Sequence, residues 1–169
     1  MSTGVEVAGW IKRVADDERS RDAAHVEQAT LAARRADLAG QRRRRLIDDL
    51  RSAMVRDTGA FRGEFAGDAA RDVVVGVARA DGAFSVTKPA PSAASLSMTP
   101  KPDEGILTCT YLFARPDGLP PREDHVQIVF ADTGDEALTM QHYGTGRTFA
   151  GCDDLSEFLL VPVLTGRPR

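Results

Sequence analysis

Cysteine is scarce. The two present, Cys109 and Cys152, lie far apart and form no CxxC pair, which argues against a disulfide framework and for a reducing compartment. Long apolar runs are missing, so no segment is suited to crossing a bilayer. The opening MSTGVEVAGW has neither the basic n-region nor the apolar h-region of a secretory signal. The expectation is a soluble, cytoplasmic protein with no membrane partner. Motifs of catalysis are also missing: no GxSxG elbow, no GxxxxGK[ST] loop, no GxGxxG after a strand, no HExxH and no EF-hand loop. No cofactor is expected, and no catalytic residue is assigned.

Proline is absent from Val5 to Arg56, and nothing in that stretch obliges a helix to stop. Alanine, leucine, arginine, glutamate and glutamine dominate it, and these residues lose little side-chain entropy in a helix. Val7, Ile11 and Val14 mark one helix face. The stripe returns at Ala24, Leu31 and Leu38, then shifts after Gly40 to Leu46, Ile47, Leu50, Ala53 and Met54. Two forms of this arm stay open: one long helix, or a helical hairpin broken at Gly40. The single helix must pair with another helix, because so narrow a seam cannot stabilise it alone; the halves of the hairpin pack on each other or on the sheet. Self-association, or docking to a protein partner, is expected through Trp10, Leu31, Leu38, Arg42, Arg43, Arg44, Arg45 and Leu46. The run QRRRR, Gln41 to Arg45, also reads as a solvated face, with Asp48 and Asp49 at pairing distance from Arg44 and Arg45. It has no interleaved aromatics for base stacking and the chain carries net charge −3, so nucleic acid is not an expected partner.

After Gly67 the texture changes to short β runs punctuated by glycine, proline and aspartate. Thr58 to Asp72 is expected to loosen, with Phe61 and Phe65 clamping a short segment onto the core. Val73 to Arg79 reads as a first strand, with Gly76 marking a bulge or a close backbone approach. Asp81-Gly82 turns the chain into Phe84 to Thr87, and Lys88 to Ser95 reads as a loop. Leu96 and Met98 share a strand that ends at Pro100. Ile106 to Phe113 is the clearest strand. Leu107, Cys109, Tyr111 and Phe113 form its core face, and its threonine face is half covered by the arm. A long loop, Pro116 to Asp124, with the stiffness and length of a recognition loop, leads to Val126 to Phe130. Asp132 to Asp135 turns that strand into Ala137 to Tyr143, and Gly144 to Gly146 turns again into Arg147 to Phe149. A final helix has Asp153 as N-cap, Leu155, Phe158, Leu159 and Val161 as apolar face, and Pro162 as its end or kink.

The fold class is therefore α+β: a helical arm over residues 1–57, then a mostly antiparallel sheet of six or seven short strands with a C-terminal helix over 58–169. The densest group of chemically capable residues is Tyr111, His142, Tyr143, Arg147 and Cys152. A cysteine at a helix N-terminus has its thiol pKa lowered by the dipole, and His142 within reach would complete a nucleophilic pair. The competing reading is a small cysteine filling a turn. A metal site from Asp124, His125 and His142 would need two distant strands to converge, and none is expected. Arginine far outnumbers lysine and alanine is abundant, the signature of a GC-rich genome. These features favour a non-enzymatic interaction or accessory module of a bacterial assembly. The alternative is a small ligand-binding or enzymatic domain with a pocket between sheet and C-terminal helix.

Overall fold

A computed structural model describes residues 8–89, 91–134 and 137–169. Val5, Val7, Ala90 and Asp135 lie outside the described residues. Helix α1 runs Gly9–Glu64, followed by a 3-10 turn Ala69–Arg71. Seven strands come next: β1 Val74–Val75, β2 Phe84–Lys88, β3 Ala94–Lys101, β4 Ile106–Phe113, β5 Arg122–Asp132, β6 Leu138–His142 and β7 Thr148–Phe149. Helix α2, Cys152–Thr165, closes the order. The fold is α+β, with a long N-terminal helix and a curled antiparallel sheet. The chain divides into two compact units between Leu38 and Ala39.

In the first unit the helix runs without interruption from Gly9 to Leu38. All its described residues are exposed except the half-buried Ala15. Trp10, Ile11, Val14, Val26, Leu31 and Leu38 all face solvent, Trp10 at 62 % and Val26 at 67 % exposure. The polar surface ties to itself at helical spacing, Arg19 to Asp16 at 2.7 Å and Arg21 to Glu18 at 2.8 Å.

In the second unit each strand pairs antiparallel with the next, in the order β1 to β7. Such a meander needs only short connections, because neighbours in sequence are neighbours in the sheet. Its core lies on one face. Leu107, Cys109, Tyr111 and Phe113 of β4 meet Leu96, Met98, Ile128, Phe130 and Met140 there. Ile47, Leu50 and Met54 of α1 and Leu155, Leu159 and Val163 of α2 complete the same cluster. Burying such a side chain contributes about 2 kcal/mol, so α2 and the part of α1 that follows Ala39 are held chiefly by this one face.

Several expectations are corrected. Helix α1 passes through Gly40, which removes the hairpin. It also continues to Glu64: a side chain at Gly59 or Gly63 would meet nothing, whereas Thr58 is buried and Phe61 packs on the core. Tertiary packing outweighs the glycine penalty, and Gly67 at φ 85 follows the helix end. The first strand shrinks to Val74–Val75, and the Gly76 carbonyl beyond it accepts from Arg51 Nη2 at 3.0 Å. Close approach at Gly76 is present, its N–H reaching the Ser85 carbonyl at 2.7 Å. Strand β3 keeps Pro100 and Lys101, and β5 begins at Arg122, leaving residues 114–121 as the loop. The threonine face of β4 is not where α1 packs, since Ile47, Leu50 and Met54 join the opposite face. Gly151, not Asp153, occupies the N-cap of α2. Val161 is exposed, and Pro162 lies inside the helix without ending it.

Candidate functional site

The residues grouped from sequence do not share one site. Tyr111 is 2 % exposed and its hydroxyl donates to the Leu159 carbonyl at 2.9 Å. Burial pushes its pKa up, Cys109 adding to the effect. Arg147 pairs with Asp154 at 2.9 Å and lies 5.1 Å from the ring centres of Phe149 and Phe158. Tyr143 points outward at 72 % exposure. His142 Nδ1 accepts the Thr145 N–H at 2.9 Å, and its ring meets Phe158 edge-on at 5.6 Å. The thiol of Cys152 donates instead to the Leu46 carbonyl at 3.7 Å. Burial raises its pKa first, and the charges of Asp49 and Asp153 raise it further. That direction is opposite to the one expected from the helix dipole, because burial disfavours the thiolate and two carboxylates repel it.

His142 and Tyr143 do border a common cleft of about 400 Å³, with Thr108, His125, Val126, Gln127 and Gly144. His125 pairs with Glu123 at 2.9 Å and Asp124 with Arg122 at 3.1 Å. No group among the described residues has the makeup of a metal site.

The arginine run is divided in its tasks. Arg43 Nη1 donates to the Pro102 and Asp103 carbonyls at 3.0 and 3.4 Å, and Arg44 pairs with Asp103 at 3.2 Å. Arg44 thus reaches across to the β3–β4 turn instead of along the helix to Asp48. Gly105 makes this turn possible: at φ 70, a β-carbon there would stand 2.8 Å from the Phe130 carbonyl oxygen. Arg42 is half-buried and Arg45 exposed, while Leu46 packs against the core. Trp10, Leu31 and Leu38 stay exposed.

A second cleft, of about 460 Å³, was not singled out in the sequence. Phe61 and Phe65 from the end of α1, Ala70 and Arg71 from the 3-10 turn, and Lys88 from the last position of β2 line it. Pro91, Ser92, Leu164, Thr165 and Arg167 complete the wall. Lys88 is only 8 % exposed, and its side chain makes no hydrogen bond or ion pair among the described residues. Burial lowers its pKa, and the charge of Arg71 lowers it further. Arg71 pairs with Asp68 and stacks 4.5 Å over the Phe65 ring. Ser92 is held at φ 59, a left-handed conformation that is strained for a side-chain-bearing residue. A signal for Lys88 did exist: Phe84, Val86 and Lys88 alternate along one strand, so the lysine belongs to the buried face.

Comparison with models of protein families, with curated proteins and with solved structures finds no match to this chain.

Proposed function

We propose that the protein is a non-enzymatic interaction module that self-associates through its N-terminal helix. One observation carries this reading: Trp10, Ile11, Val14, Val26, Leu31 and Leu38 are all exposed on a stretch that buries none of its described residues. Burial of an apolar stripe is the usual source of helix stability in proteins, and this stripe is left uncovered. The raised pKa of Cys152 also weakens the thiolate alternative.

Charge order favours a second copy as the occupant. Asp16, Asp17 and Glu18 precede the midpoint of the segment, and Arg34 and Arg35 follow it. Parallel, in-register pairing would set like charges together. Antiparallel pairing centred on Val26 sets Val14 opposite Leu38 of the second copy and Asp17 opposite its Arg35, so that opposite charges meet. Membrane association is not part of the proposal; among the described residues no helix is long and apolar enough to cross a bilayer.

Light scattering on the full chain, wild type against Leu31→Ser/Leu38→Ser, tests this. The expected result is a dimer for the wild type and a monomer for the variant. Circular dichroism should show the sheet unit intact, since exposed substitutions shift stability by only about 0.5 kcal/mol. A monomeric wild type at about 100 µM, well above a micromolar Kd, would refute self-association. Capture of a different protein, lost in the variant, would keep the helix as a docking element and replace the second copy.

A further inference from the structure

From the Lys88 cleft we infer that the sheet unit binds a small amphipathic anion, a carboxylate or phosphate head carried on an apolar body. Three observations combine. The Lys88 side chain is buried, carries no partner among the described residues and lines the cleft. Two further cations, Arg71 and Arg167, line the same wall, and among the described residues no carboxylate does. The rest of the wall is apolar at Phe61, Phe65 and Leu164.

The Lys88 side chain is buried along its length while its ammonium opens to the cleft, and burial disfavours its charged form. An oxyanion seated against it supplies the missing charge and hydrogen-bond acceptors, and charge-assisted bonds of this kind are the stronger class. Arg71 is already compensated by Asp68 and braced on Phe65, so its role is to hold the rim positive. Lys88 is the buried cation of the wall, and its side chain has no protein partner among the described residues. The aromatic and leucine walls explain why the anion carries an apolar body, since a bare inorganic ion leaves those surfaces wet. A volume of about 460 Å³ accepts a body of roughly eight carbons, within the ordinary range of small-molecule sites. All these residues belong to the unit that begins at Ala39, so the inference is independent of the helix reading.

Isothermal titration calorimetry on the full chain tests it, with sodium octanoate, octyl phosphate, octan-1-ol and inorganic phosphate as the probes. Octanoate or octyl phosphate should bind saturably at one site, and both neutral octanol and inorganic phosphate should bind far more weakly. Lys88→Met keeps the length and removes the charge; affinity should fall about ten- to hundredfold, the worth of a hydrogen bond to a charged group. Arg167→Gln, at an exposed position, should weaken binding severalfold and keeps the test open if the Lys88→Met change disturbs folding. Equal binding by both variants, equal binding of octanol, or no saturable response to either amphipathic anion would overturn the inference. A phosphatidylglycerol vesicle arm separates sources. Retention on vesicles that the Lys88 change leaves untouched, with no response to the free anions, would also overturn it.

Discussion

The Tyr111 hydroxyl reaches across the core to the Leu159 carbonyl, 2.9 Å away, and so ties the central strand β4 to helix α2. Its ring stacks near-parallel on Phe113 at 5.8 Å. Hydroxyl and ring thus both serve the packing of helix on sheet. Buried hydroxyls need such a partner, since an unpaired one carries a desolvation penalty.

Tyr111→Phe should therefore cost about 1 kcal/mol of stability, the usual net worth of one hydrogen bond. The ring and its stacking remain, so the native far-ultraviolet spectrum should be unchanged. Urea unfolding of both proteins measures it as a lower midpoint with the same slope. An unchanged midpoint would show that the bond contributes nothing.

Legibility followed locality. The core face of β4 could be read because alternation of apolar and polar residues is a property of eight adjacent residues, and one face of the strand is buried. The α+β class followed from the same kind of signal: a proline-free helical stretch, then short strands. The end of α1 could not be read, because glycines at 59 and 63 resemble breakers until Thr58 and Phe61 are seen on the core side. Cys152 failed for a related reason. Its local setting at a helix start points one way, while burial and Asp49, brought from a distant part of the chain, point the other. Lys88 lay between these cases: alternation aimed it inward, but the prolines that follow made the segment read as loop.

Cys152 should behave as a sluggish thiol. The thiolate is the reacting species, so a pKa raised by burial, Asp49 and Asp153 lowers its population at neutral pH. Iodoacetamide at about pH 7.5, below the free-thiol pKa, should alkylate it more slowly than it alkylates glutathione, and Asp49→Asn should speed the reaction. Cys109, fully buried with its pKa pushed up to about 12, should react only in denaturant. Peptide mass mapping of timed samples reads both sites. Faster alkylation of Cys152 than of glutathione would reinstate the nucleophile.

Lys88 yields the sharpest pH prediction. Its folded-state pKa lies below the unfolded one, so burial penalises the protonated form. Well below both values the two states are equally protonated and the penalty is fully present. Between the lowered folded value and the unfolded value near about 10.4, the unfolded chain binds the extra proton, and stability from this group rises with pH. Lys88→Met removes the penalty at every pH and should stabilise the ligand-free protein at neutral pH. That advantage should shrink as pH climbs towards about 10. Cys109 acts in the opposite direction: its raised pKa makes the folded state retain the proton, so stability falls as pH rises beyond the ordinary thiol range. This loss is common to wild type and variant and cancels in their difference. Urea midpoints of both proteins at neutral and alkaline pH give that difference directly. A gap that stays constant or widens with pH would mean that Lys88 does not hold an uncompensated charge in the folded protein.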